Sequence, residues 1–299
     1  MLRRFRNAAN QYIEEALTEL FSLDTWTFVS AMHVDEVVAG LRPGSHVLSI
    51  GGGPRIETDR LLASRHSKLR FHGTDLAADC SGIRLPGNLT WGRLDICAET
   101  GQAGFDLVWS VECLEHIKDD ALAVHNACSF VRPGGQLLLI VPFANQQEQK
   151  DPSVIQGERR FGHVVAGYDA DRLTQLIGRD QFNEIRFENC YWRETYALRL
   201  YRNAVFPAMG SRVLVQLEAL ARTDIRPGAL AENRTQALGI KVLATGRRSG
   251  TEQRRGYQGL FSPQGSGEGL YPADRNPSGM IGLASKVAGM ATAGIGRCR

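Results

Sequence analysis

The sequence predicts an α/β fold built around a mostly parallel sheet, and three observations carry that expectation. Short apolar runs recur at residues 47–50, 105–110 and within 130–143, as expected of strands buried on both faces, and residues 89–94 read as a further strand. The first run stops at Gly51-Gly52-Gly53, and Pro54 then suits the first position of a helix carrying Ile56, Leu61 and Leu62 toward the sheet. Roughly two dozen residues on, a second strand over residues 69–74 delivers Asp75 at its end, the spacing of a βαβ unit.

The glycine turn is the focus of this pattern. A strand, a turn without Cβ atoms and a helix start leave unpaired N–H groups and a positive dipole end facing whatever lies above. A ligand that is negatively charged or rich in acceptors is expected there. Asp75 stands where a carboxylate grips ribose hydroxyls, the alternative being that it opens the following turn. A dinucleotide site requires a third glycine where this chain has Ile56, which argues against NAD and FAD.

Residues 46–63 resemble the first motif of the class I S-adenosylmethionine-dependent methyltransferases, an apolar strand, an acidic residue and a GxGxG turn. Gly51 and Gly53 match, while Arg55 takes the third glycine position and Ser49 the acidic one. The GxGPR form is similar to a variant in some bacterial methyltransferases of glycan and small-molecule pathways. Two further stretches strengthen the resemblance: FDLVWS continued by VECLEHIKDD, and the RPGG turn at residues 132–135. It covers about residues 44–247 and implies a Rossmann-like seven-stranded sheet of order 3-2-1-4-5-7-6, with helices on both faces. Strands over residues 182–191 and 239–245 would form its antiparallel edge.

The resemblance also implies S-adenosylmethionine as cofactor, bound by Ser49, Gly51, Gly52, Gly53, Asp75, Leu76, Asp95, Ile96, Ser110 and Val111. Asp95 would meet the adenine amino group and Ile96 the ring, although an aspartate at a strand end also serves as a plain turn or cap residue. The implied reaction is methyl transfer to a small-molecule or glycan-precursor acceptor, at oxygen. The alternative is a catalytically inactive binding or regulatory protein of the same fold.

Chemistry-bearing candidates follow the fourth strand. If the chain is helical from Val111, then Glu112, Glu115 and His116 share one face and could hold a divalent ion such as magnesium. Without metal, Glu115 and His116 brace the strand ends and Glu112 faces substrate. In relatives, a Gly-His segment, an aromatic and a helix close the substrate pocket, and Gly162, His163, Tyr168 and residues 169–176 correspond. His163 is the candidate general base, because an imidazole titrates near neutral pH. Asp169 is expected to cap its helix, with Leu173 and Ile177 facing inward.

The rest of the chain supplies context. Residues 8–40 show the spacing of two helices forming an N-terminal cap, in which Trp26 and His33 are possible pocket residues and more ordinarily core ones. An insertion over about residues 195–236 has an amphipathic pattern through Val213, Leu214, Leu217 and Leu220, suited to covering the site or forming a homodimer contact. Beyond residue 248 the Gly, Ser, Gln and Pro content predicts a disordered tail. A net charge of +3 gives no reason to expect nucleic acid, and no apolar run is long enough for a membrane span. Six cysteines without CxxC spacing indicate neither zinc nor disulfides, and with them a cytoplasmic setting is expected.

Overall fold

The computed structural model describes residues 25–53, 56–77, 83–178, 180–193, 219 and 221–247. Among the described residues, helices α1 (Thr25–Val38), α2 (Glu57–Arg65), α3 (Asp120–Phe130), α4 (Pro152–Arg159) and α5 (Ala170–Ile177) accompany seven strands. These are β1 (His46–Ile50), β2 (Arg70–Asp75), β3 (Leu89–Arg93), β4 (Phe105–Val111), β5 (Val131–Pro142), β6 (Phe182–Trp192) and β7 (Ala237–Gly246). They make one sheet in the order β3-β2-β1-β4-β5-β7-β6, the order the family resemblance implied. β1 to β5 pair in parallel, and β7 runs antiparallel between β5 and β6.

Period-two alternation splits the apolar side chains between two faces. Leu48, Ile50, Phe105, Val108, Leu137 and Leu139 pack with α3 and α5, while Val47, Leu107, Trp109, Leu138 and Ile140 pack with α1 and α2. Continuous apolar runs were therefore the correct signal for strands covered on both sides. Helix α1 is fixed to its face by polar links as well. Buried His33 Nε2 lies 2.9 Å from Asp224 Oδ2, and the Ser30 hydroxyl is 2.6 Å from the Tyr191 hydroxyl. Asp224 also accepts from the backbone N–H groups of Tyr191 and Trp192, at 2.6 and 2.8 Å. His33 is thus a core residue.

Three local expectations are corrected. Helix α2 begins at Glu57 and not at Pro54, because Ile56 has φ 46°, a left-handed conformation through which an α-helix cannot propagate. The LEH sequence does not open an α-helix; it forms a 3₁₀ turn, Leu114–His116. Helix α3 starts at Asp120 behind an Asp119 cap that accepts from the Leu122 N–H. The RPGG residues lie inside β5, where the register to β4 slips between Phe105↔Val131 and Leu107↔Gln136. Gly134, at φ 73°, absorbs the irregularity, and Arg132 Nε donates to Asp106 Oδ1 at 2.8 Å.

Asp169 caps α5 as expected, accepting from the Arg172 N–H at 2.8 Å, and Leu173 and Ile177 are buried. The first expected helix, Pro54, Arg55, the residues Val213, Leu214, Leu217 and Leu220, the tail and the Trp26 side chain lie outside the described residues. Among the described residues no helix is long and apolar enough to cross a membrane, and Cys97, Cys113, Cys128 and Cys190 are free thiols.

Candidate functional site

The parallel register brings three strand ends to one edge. Ile50 pairs with Thr74 on one side and Ser110 on the other, so Gly51, Asp75 and Val111 leave the sheet at the same level. This carboxyl edge is where open α/β sheets bind ligands. The chain then turns sharply: the N–H groups of Gly51 and Gly52 both donate to Thr74 O, at 2.9 and 3.0 Å. Gly51 and Gly53 have φ of 75° and 73°, the left-handed region that glycine enters without strain.

Each glycine of the turn has a different spatial reason. A Cβ on Gly51 would lie 2.3 Å from Cys113 Sγ, and one on Gly52 would lie 2.7 Å from Asp59 Oδ2. A Cβ on Gly53 would meet nothing among the described residues within 4 Å. Two glycines therefore seat the turn against the protein and the third keeps its outer side open. Asp75 stands beside that side. Its Oδ2 accepts from the Gly53 N–H at 3.0 Å and its Oδ1 from the Ala77 N–H at 2.9 Å, while the residue remains half-buried. Leu76, next along, is 57% exposed.

Beneath the turn lies a group that sequence reading missed. Asp59 of α2 is fully buried and accepts from Ser49 Oγ at 3.2 Å through Oδ2. Burial pushes its carboxyl up to about 7, against the pull of the Ser49 hydrogen bond. Ser49, an expected cofactor contact, is likewise buried, and the structure commits its hydroxyl to Asp59. The available signal was positional: residues 56, 59, 62 and 63 share the apolar face of this segment, so a charged residue at 59 was bound to be covered.

The remaining expected cofactor contacts divide. Asp95 Oδ1 accepts from the N–H groups of Cys97 and Ala98, so the residue builds the turn after β3. Ile96 is buried in the core, and its carbonyl accepts from Asn126. Ser110 donates to Ile50 O at 3.0 Å, tying β4 to the start of the glycine turn, and Val111 is half-buried at the strand end.

Glu112, Glu115 and His116 do not converge as one helical face would make them. Glu112 has φ 49° and its N–H donates to Ile140 O, and its charge acts on Tyr191 and Cys190 on the α1 side of the sheet. Glu115 and His116 turn instead toward His163. Glu115 Oε1 is 3.8 Å from His116 Nε2 and 3.9 Å from His163 Nε2, and His163 Nδ1 is 2.6 Å from Glu158 Oε2. Arg234 pairs with the other Glu158 oxygen. Burial pushes Glu115 up, while in Glu158 the contacts to His163 and Arg234 outweigh burial and hold the carboxyl below its ordinary range. His163, the expected general base, has each ring nitrogen facing a carboxylate and is held inside the cluster. Cys113, pushed up to about 12 by burial, is a neutral thiol that packs against Gly51.

A model of the methyltransferase domain family matches residues 14–186, more than half of the chain. The chain belongs to that family. Among solved structures, the methyltransferase is similar to Haemonchus contortus phosphoethanolamine N-methyltransferase 2 in complex with S-adenosyl-L-methionine. The two are 17% identical with a TM-score of 0.52, over 74% of this chain and 52% of that one. The same nematode enzyme in complex with phosphomonomethylethanolamine and S-adenosylhomocysteine gives 17% identity and a TM-score of 0.51, with the same coverage. These likenesses concern the fold, and the methyltransferase spans about half the length of those chains. No curated protein matches it.

Proposed function

We propose that this methyltransferase binds S-adenosylmethionine over the glycine turn and passes its methyl group to oxygen on a small-molecule or glycan-precursor acceptor. The observation that carries this reading is the open outer side of Gly53 directly beside the Asp75 carboxylate, at the carboxyl edge of the sheet. S-adenosylmethionine, when bound, supplies a methyl group on a positively charged sulfur, electrophilic enough that alignment is the protein's main contribution, worth up to about 7–11 kcal/mol.

The residues present fit an adenosyl group. Two backbone N–H groups fix the Asp75 carboxylate in place, and each of its oxygens retains a further lone pair for a ribose hydroxyl. Leu76 offers exposed apolar surface beside it, and the Cβ-free outer side of Gly53 lets a ligand lie against the backbone. Asp95 shapes the turn after β3 through Oδ1, and Ile96 lies in the core beside it.

Calorimetry with S-adenosylmethionine, its demethylated product and NAD tests the cofactor. Binding of the first two and not NAD is expected, and NAD binding alone would end the proposal. Radiolabelled S-adenosylmethionine with fractionated cell extract tests the chemistry. Label retained on protein with no labelled product would favour an inactive binder. The phosphomonomethylethanolamine bound by the nematode enzyme makes nitrogen the competing acceptor, and the linkage in the labelled product decides between them.

A further inference from the structure

Two groups of ligand-type side chains occur among the described residues, and they differ in what lies at their centre. In the group His33, Glu36 and Glu188, the ammonium of Lys241 pairs with both carboxylates, so a cation is already built in. The group Glu115, His116 and His163 has no such lysine, and its ligand atoms all lie within 4.8 Å of one another.

The hydrogen bonding of this second group fixes which atoms face inward. A backbone carbonyl can only accept, so His116 Nδ1, 3.2 Å from Gly162 O, carries the proton of a neutral ring and leaves a lone pair on Nε2. His163 Nδ1 lies 2.6 Å from the Glu158 carboxylate, and its Nε2 faces Glu115 at 3.9 Å. Glu115 is fully buried, and neither of its side-chain oxygens accepts a hydrogen bond from another residue. Two imidazole nitrogens and a carboxyl that accepts no hydrogen bond therefore converge at separations of 3.8 and 3.9 Å, too long for hydrogen bonds.

We infer that Glu115, His116 and His163 form a binding site for a divalent transition-metal ion, with Glu158 and the Gly162 carbonyl orienting the two rings from outside. An ion about 2.0–2.2 Å from nitrogen and oxygen ligands spaces those ligands about 3–4 Å apart, as here. Imidazole nitrogen favours zinc, iron, nickel or copper over magnesium or calcium. The outer partners have the usual form, one carboxylate and one carbonyl each holding the distal nitrogen of a ligand histidine. His116 is 41% exposed through its side chain, which gives an ion a route in and leaves coordination positions open to solvent. The site stands independently of the methyl donor, so its failure and the failure of the donor proposal are separate results.

The test is direct binding to the full chain after exhaustive chelation, with Co²⁺ followed by its visible absorption and Zn²⁺ by calorimetry. One ion per chain is expected. His163→Ala and Glu115→Gln should abolish binding, and Glu158→Gln should weaken it roughly 10- to 100-fold. His125→Asn, on the exposed side of α3, should leave it unchanged. Circular dichroism establishes that the variants are folded, and if Glu115→Gln is not, His116→Asn supplies the same reading from an exposed ligand. Failure of the chelated protein to take up either ion, or equal uptake by wild type and His163→Ala, overturns the inference.

Discussion

The glycine turn and the histidine cluster both follow parallel strands at the carboxyl edge of the sheet, and each rests on a fully buried carboxylate. Under the turn, Asp59 meets a serine hydroxyl; in the cluster, Glu115 meets two imidazoles. The turn is made of backbone, with glycines chosen for φ and for space, so it presents N–H groups and an open side. The cluster is made of side chains from four separate stretches of chain, around residues 115, 158, 163 and 234. The first suits a large ligand lying across a surface. The second suits a small charge held at a point.

The largest effect that would sharpen this contrast concerns Asp59. Unfolded, its carboxyl ionises near 4, whereas in the fold it does so near 7. Between those values the unfolded chain has released a proton that the folded chain keeps, so stability falls as pH rises from about 4 to about 7 and then levels off. The loss is up to about 4 kcal/mol. Urea unfolding across this range should show it in wild type, and Asp59→Asn should flatten that part of the profile. An unchanged profile in the variant would remove the buried charge from the account.

Next comes Gly51→Ala, which places a Cβ against Cys113 at a positive φ. A cost of about 2–4 kcal/mol is expected in thermal unfolding, from overpacking and backbone strain together. The second change Cys113→Gly should return the overpacking share and not the strain, so full recovery would show that φ is immaterial there. Asp75→Asn should lower S-adenosylmethionine affinity about 10- to 100-fold by calorimetry, as expected for hydrogen bonds made by a charged group. Unaltered affinity would detach Asp75 from the ligand. Asp169→Ala, remote from the turn, should cost only about 1 kcal/mol through the lost cap and leave that affinity as it was.

What the sequence disclosed follows the same division. The strands were legible because both faces of this sheet are covered, which leaves continuous apolar runs, and the turn because three glycines and Asp75 fall within one βαβ unit. Helix starts were less so. Nothing local announces that Ile56 turns left-handed, or that LEH tightens into a 3₁₀ turn before Asp119 begins the next helix. Glu112 looked like a partner of Glu115 only on the assumption of an α-helix, and a positive φ at Glu112 sends the two to different surroundings. Glu158 and Arg234 were invisible because their meeting with His163 depends on how α4 and the segment before β7 return to the sheet. His163 itself was noticed, yet its setting could not be.

The link between α1 and the far edge of the sheet bears on where this fold can be cut. Asp224 gathers His33 and the backbone of Tyr191 and Trp192 at a point closed to solvent. A chain begun at residue 44, where the expected N-terminal cap ends, loses the imidazole that faces this buried carboxylate. The minimal folding unit of this methyltransferase must therefore reach back through His33, and a trimmed version that starts at β1 should be recovered as aggregate.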